Sequence, residues 1–596
     1  MVPFVTSMWM AAALAQAPTA GAAVGPEAAW LKAVPAEAEV VVRVRAPRAV
    51  RDDLAKMLQM MSPMLGQGAT GALDNGLGML AQRFGKDAQD SPMLAVARLP
   101  QKDDNGPPPF AVITQAKDYA AFQKLLAPEA KPKSQGGGID ELDADGQPPV
   151  FTAKGANYVV AGSSKDLVGT LARPKSGLDK GLSAELRERF LGGDAGVYVN
   201  LAAIQARYGE QIEQARGTFM DGLDKAAAAN KAAPGMNMDT AKDLYGRMFD
   251  ALKDGDALAL HFDFDPQGLT VSGLAGVKSG SGAAKSLADP VVGTGDALAQ
   301  LPDDAAFYTF MNLSPETFER FQKMAMAFMG GTTGKPSPEM ARAMAASIKA
   351  GPKETAGAVS FGKGGMRQVN LSTFTDPKQA AEATEAMARA MKQNKSGLPD
   401  IIKDIDVQPA AQKYKGFSFT RTKVTFDKEK LAAMAPPNAP AAGGMSAMLG
   451  EGSTTWSGTD GKVFLSVVAP DWEKARGQID AVLGGGKGTL GTVAGYQAIR
   501  KLLPRQVGSL FLISAQGLLK QGLAQFAAMA PDGPAGKVEL KLPDAPALFG
   551  GALTPTPRGY QFRFVVPSSV GPVIEQGVGP IMQAVQQGNQ VNKIDQ

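Results

Sequence analysis

The chain states one plan twice, and any fold it adopts has to accommodate that self-similarity. "VPAEAEVVVRVRAPRAVRDDLAKML", from Val34, reads as a Pro-initiated strand, a turn at Pro47 and an amphipathic helix. "LPDDAAFYTFMNLSPETFERFQKMA", from Leu301, repeats that order with Pro315 in the place of Pro47. Proline suits a helix's first turn, where no backbone N–H is needed, and Ser314 offers its side chain as the cap of the second helix.

The parallel continues. Each copy has a Gly-rich break ("GQGATG" at Gly66, "GGTTGKPSP" at Gly330), a second helix, two strands and a closing helix. The strands are "MLAVARL" and "FAVITQA" before the helix from Lys117, and "AGAVSFG" and "RQVNLSTFT" before the helix from Asp376. Strand alternation and 3.6-residue apolar spacing support these assignments. A strand then enters a helix through polar capping residues at Gly155 and again at Gly461, "AGVYVNLAAI" matches "GSLFLISAQGLL", and a Gly turn joins two closing strands after Asp265 and after Thr556. The small-residue stretch 277–290 reads as the linker. The expectation is an α+β protein of two tandem, internally duplicated copies, 31–290 and 296–596, each a largely antiparallel sheet with packed helices. Further loops are expected from Lys131, Ala226 and Ala435; the second of these interrupts a long helical stretch, 202–254.

Composition narrows the chemistry. With 596 residues, 44% hydrophobic, the chain can bury more than one core. Lys+Arg 62 against Asp+Glu 58, spread without a basic block, lacks the footprint of a nucleic-acid binder. The absence of cysteine removes disulfides, thiolate nucleophiles, lipid attachment at cysteine and thiolate metal sites. A single histidine removes most histidine-based metal and acid–base chemistry. No cofactor is implied.

The opening residues carry the compartment signal. An apolar run from Val2 to Leu14 precedes two Ala-x-Ala options ending at Ala17 and Ala22; Pro18 disfavours the first, so 1–22 reads as a secretory signal peptide. A buried N-terminal helix is the competing reading. No later segment has 18 uninterrupted apolar residues, so the mature chain is expected outside the cytoplasm, periplasmic or extracellular, without a membrane-spanning helix.

Few residues look like chemistry. His261, Asp263 and Asp265 alternate on one strand in "ALALHFDFDPQG" and could contribute to a divalent-cation site, but further ligands would have to come from elsewhere. The matching stretch of the second copy has Ala552, Thr554 and Thr556 there, so the simpler expectation is a strand with Leu258, Leu260, Phe262 and Phe264 inward and the polar residues outward. "ELDADGQPPVFT" places Asp143 and Asp145 like ligands of a calcium loop, yet Glu141 and Thr152 occupy its decisive first and last positions, which leaves an acidic turn. The Gly-Lys pairs at Lys335 and Lys487 lack the following Ser or Thr of a phosphate loop. No Gly-x-Ser-x-Gly elbow occurs, and a serine–lysine pair stays open. Met57, Met60, Met61 and Met64 in one copy and Met324, Met326 and Met329 in the other form methionine-rich helical stretches, suited to a core or to a groove for an apolar ligand.

The strand-turn-helix openings "VPAEAEVVVRVRAP" and "LPDDAAFYTFMNLSPETF", with "YVVAGSSKDLVGTLA" and "GVYVNLAAI", resemble a family of large bacterial exported proteins catalogued as a domain of unknown function, over most of 31–582. The resemblance implies an exported α+β protein and carries over no catalytic residue. The expected function is non-enzymatic: a cell-envelope module that binds an apolar ligand or a partner protein. A structural scaffold is the alternative, and a hydrolase using carboxylates or a serine–lysine pair is the third reading.

Overall fold

The computed structural model describes residues 26–100, 108–143, 148–228, 238–319, 322, 337–362, 365–393, 402–427, 429–430, 452–486, 488–529, 540–543, 546–577 and 579. It is a mixed helix and strand structure whose registered strand ladders are all antiparallel, as the alternating patterns require. Two compact units form. Unit 1 comprises Met1–Glu213, Asp250–Asp289 and Thr556–Gly571; unit 2 comprises Gln214–Phe249, Pro290–Pro555 and Pro572–Gln596.

Unit 1 contains β1 (Val40–Val44), β2 (Met93–Ala97), β3 (Phe110–Thr114), β4 (Lys133–Ser134), β5 (Ile139–Leu142), β6 (Val150–Lys154), β7 (Val159–Gly162), β8 (Ala195–Val199), β9 (Gly255–Asp265) and β10 (Gly268–Val277). Their spatial order is β4-β5-β6-β7-β3-β2-β1-β8-β9-β10. Unit 2 contains β11 (Phe307–Asn312), β12 (Pro352–Gly362), β13 (Gly365–Phe374), β14 (Ile402–Tyr414), β15 (Phe417–Phe426), β16 (Gly452–Thr459), β17 (Phe464–Val468), β18 (Ser509–Ser514) and β19 (Leu548–Thr556). Their order is β14-β15-β16-β17-β13-β12-β11-β18-β19, the same as that of β4 to β9 in unit 1. The last strand, β20 (Gly559–Pro567), lies in unit 1 and pairs with β10.

Helix starts follow the capping chemistry of the sequence. Pro47 opens the helix Pro47–Met61, and Asp118, Ser164, Ser183, Ser337 and Asp471 each accept a backbone N–H from the first turn of the helix that follows. Ser314 accepts from the Thr317 N–H at 3.1 Å.

Three local expectations need correction. The segment around Gly66 is no break, because one helix, Pro63–Phe84, runs through its glycines. The expected loop from Lys131 contains β4 and β5, joined by Gly136, Gly137 and Gly138, all at positive φ. Within the linker 277–290 a short helix, Gly282–Ser286, starts at the Ser281 cap. The first of these has a packing cause. A Cβ on Gly66 would lie 2.8 Å from the Cα of Gln59, so the missing side chain lets the helices Pro47–Met61 and Pro63–Phe84 approach closely.

That geometry reverses the usual effect of a helical glycine. Gly71→Ala, where a Cβ meets nothing within 4 Å, should stabilise unit 1 by up to about 1 kcal/mol. Gly66→Ala should destabilise it by about 1–3 kcal/mol. Urea unfolding of the two variants checks the pair; the same sign for both refutes the close approach.

Candidate functional site

The sheet of unit 1 has two faces of different character, set by the period-2 alternation of its strands. One face is sealed over its centre: Val41, Leu94, Val96 and Ala259 are 0% exposed in a core that also holds Trp30, Leu167, Leu171 and Phe190, while Gln561 and Arg563 at its β20 edge are half-buried. The other face carries three rows that register builds across six strands. The first is Met93, Val44, Ala195, Phe262, Val271 and Phe564; the second is Ala95, Val42, Val197, Leu260, Gly273 and Phe562; the third is Ala97, Val40, Val199, Leu258, Ala275 and Tyr560. The only side-chain polar atom among these eighteen residues is the hydroxyl of Tyr560.

This apolar face is incompletely covered. Val197, Leu258, Leu260, Phe262, Val271, Phe562 and Phe564 are half-buried, and Tyr560 is 38% exposed. Gly273 has no side chain, and the Phe562 ring and the Leu260 methyl close over it. The helix Pro47–Met61 covers one end, where Val50, Leu54 and Met57 pack with Ala195 and Phe264, and Leu58 and Met61 join at the margin. Met57 and Met61 therefore border the face together, whereas Met60 is 60% exposed. The Met64 side chain and Met324, Met326 and Met329 lie outside the described residues.

The sealed face contains a polar row. Arg43 on β1 lies opposite Gly196 on β8, then His261 on β9, Ser272 on β10 and Arg563 on β20. Arg43 is 3% exposed; its Nε and Nη2 donate to Glu27 Oε1 at 3.1 and 2.7 Å, and its Nη1 donates to the carbonyls of Gly192 and Gly193 at 3.1 and 2.9 Å. Those carbonyls follow the C-terminus of the helix Ala184–Leu191, where positive charge is favoured. Gly196 makes the approach possible, since a Cβ there would overlap the Phe190 carbonyl oxygen.

His261 is 9% exposed, which overturns the expectation of an outward polar edge on β9. Ala257, Ala259 and His261 are the buried set, and Leu258, Leu260 and Phe262 the half-buried one. The cause is the helix Ala184–Leu191, which sits on the side that the sequence assigned to solvent and supplies a partner for the imidazole. Nδ1 lies 2.8 Å from the Arg189 carbonyl oxygen, which can only accept, so Nδ1 carries the hydrogen. Nε2 is 3.4 Å from Asp263 Oδ2. Asp265 instead accepts the Gln267 N–H in the β9–β10 turn. Among the described residues no three His, Asp or Glu side chains converge on a common point. Asp143 is exposed and pairs with Lys133 at 3.2 Å; Asp145 lies outside the described residues.

Asp194, 0% exposed, sits beside this row with Arg45 Nη2 2.6 Å from its Oδ1. Burial pushes its carboxyl up to about 8, against the opposing pull of Arg45. The sequence gives a signal for these residues that periodicity alone passes over: Arg43 and Arg563 each interrupt an apolar strand ("VVVRV", "FRFVV") at an inward position. Compared with protein-family models, curated proteins and solved structures, the chain finds no match in any of the three.

The raised Asp194 carboxyl has a pH consequence of definite sign. The folded state holds this proton up to about pH 8, the unfolded chain only to about pH 4. The contribution is therefore complete below about pH 4 and disappears as pH rises through about 8. The wild-type urea midpoint should fall over this window relative to that of Asp194→Asn; parallel midpoints refute the assignment.

Proposed function

We propose that this chain is an exported, non-enzymatic binding protein of the cell envelope, and that its ligand is apolar and lies on the open face of the unit 1 sheet. The observation that carries the reading is the three-row apolar face, half-buried where the opposite face is sealed. A surface of this kind loses free energy to water that an apolar occupant recovers, at roughly 25 cal/mol per Å². With Tyr560 contributing the only side-chain hydroxyl, the ligand would be held by contact area rather than by directional bonds. Met57 and Met61 at its margin suit ligands of varied shape, since the unbranched thioether repacks readily.

The buried acidic side chains lie against arginines: Glu27 against Arg43, Glu39 against Arg207 and the carboxyl of Asp194 against Arg45. That use supports a structural role for them and favours binding over hydrolysis. No described helix is long and apolar enough to cross a membrane. The common order of nine strands in the two units supports a tandem duplication, with copies over 31–290 and 296–596. Export rests on the opening residues and predicts a mature N-terminus at Ala23.

Native mass spectrometry of the protein purified gently from its own cells tests the reading. The expected result is a chain starting at Ala23 with an added mass that organic extraction removes. Leu260→Glu, introduced on the half-buried face and checked for folding by circular dichroism, should lose that mass. A bare monomer overturns tight apolar binding, and a defined oligomer without added mass favours the scaffold.

A further inference from the structure

The geometry points to an oxyanion-binding site on the sealed face of the unit 1 sheet, in which Arg563 and Ser272 hold a carboxylate or phosphate group with Arg189 beside it. This does not rest on the apolar ligand, since Arg563 and Ser272 project from the opposite side of the sheet to Phe562, Phe564 and Val271.

Three observations converge. Ser272 stands directly between His261 and Arg563 in the cross-strand register. It is 1% exposed, and its hydroxyl has no hydrogen-bond partner among the described residues. A buried hydroxyl left unsatisfied costs about 1–3 kcal/mol, so its retention there calls for a partner. Second, Arg563 is half-buried, its Nε is enclosed without a hydrogen-bond partner, and no described carboxylate lies within ion-pair distance of it. Burial draws its pKa below the usual arginine value, but a guanidinium stays charged at any physiological pH. Third, Arg189 reaches across from the helix Ala184–Leu191 to Gln561 Oε1 at 3.4 Å, two residues along the same strand face from Arg563. A second guanidinium is thus carried to the same patch.

The local charge balance fixes the sign of the ligand. Asp263 lies close enough to act on the Arg563 guanidinium, and Glu185 lies 3.7 Å from Arg558. Arg189, Arg558 and Arg563 against Asp263 and Glu185 leave a surplus of one positive charge on this patch. A cation is repelled, and a neutral ligand leaves that surplus in place. An oxyanion accepts from the Ser272 hydroxyl and from the guanidinium fork together, and supplies the missing charge.

Isothermal titration calorimetry on the full chain provides the test, with inorganic phosphate and acetate as separate probes and sodium chloride at matched ionic strength as the reference. Saturable binding of at least one probe is expected; phosphate alone assigns a phosphate-type ligand and acetate alone a carboxylate. Arg563→Gln should weaken binding about tenfold or more. Ser272→Ala, which deletes an unpartnered hydroxyl and so preserves the fold, should weaken it several-fold, while the exposed unit 2 variant Arg342→Gln should not change it. Heats equal to those of chloride for both probes overturn the proposal. So does equal binding by wild type, Arg563→Gln and Ser272→Ala, which would mean an adventitious ion only.

Discussion

The buried guanidinium of Arg43 is the contact on which the sealed side of unit 1 depends. It joins three parts of the chain distant in sequence: the strand that carries it, the helix Pro26–Trp30 through Glu27, and the segment after the helix Ala184–Leu191 through the carbonyls of Gly192 and Gly193. Each group would be expensive to bury alone. Together they compensate one another, with Glu27 Oε2 alone left without a hydrogen-bond partner among the described residues of this group, and the helix end is fixed against β8 at Gly196, where no side chain is in the way. The imidazole of His261 and the enclosed Asp194 take their surroundings from that placement.

With one side closed by helices, the alternation of the strands leaves the other to Val, Leu, Ala and Phe. The helix Pro47–Met61 lies against its end together with Leu73 of the following helix, and Gly66 sets how near that following helix comes. The result is one sheet offering water an apolar surface on one side while keeping its charges on the other. The proposed oxyanion site and the proposed apolar site are thereby separated by the thickness of a single sheet, so occupancy of one side need not obstruct the other.

Much of this architecture was legible in the amino-acid order. Strand and helix types followed from period and capping, because Asp118, Ser164 and Asp471 sit where a helix's first N–H groups need an acceptor. The misreadings have a common physical origin. The glycines of 66–71 read as a break because local propensity opposes helix there, whereas tertiary contact at Gly66 rewards it. His261 was assigned to solvent because polar residues usually are; the helix that covers it comes from 184–191, and no local pattern shows which side of a strand such a helix will occupy. Of the methionine stripe, Met57 and Met61 reach the apolar margin and Met60 does not. The Arg43–His261–Ser272–Arg563 row arises only from cross-strand register, which unites positions spread from β1 to β20.

Unit 1 is assembled from both ends of the sequence. Strand β20 pairs along β10 from Gly268 with Pro567 to Gly276 with Gly559, partners separated by roughly 290 residues, and closing so long an interval is slow compared with making local hairpins. As the chain emerges from its N-terminus, β1 to β10 are available long before β20 exists, and the free edge of β10 stays open to association with other chains throughout that interval. The edge is closed only when β20 has followed every strand of unit 2, so the sheet of unit 1 is completed after that of unit 2.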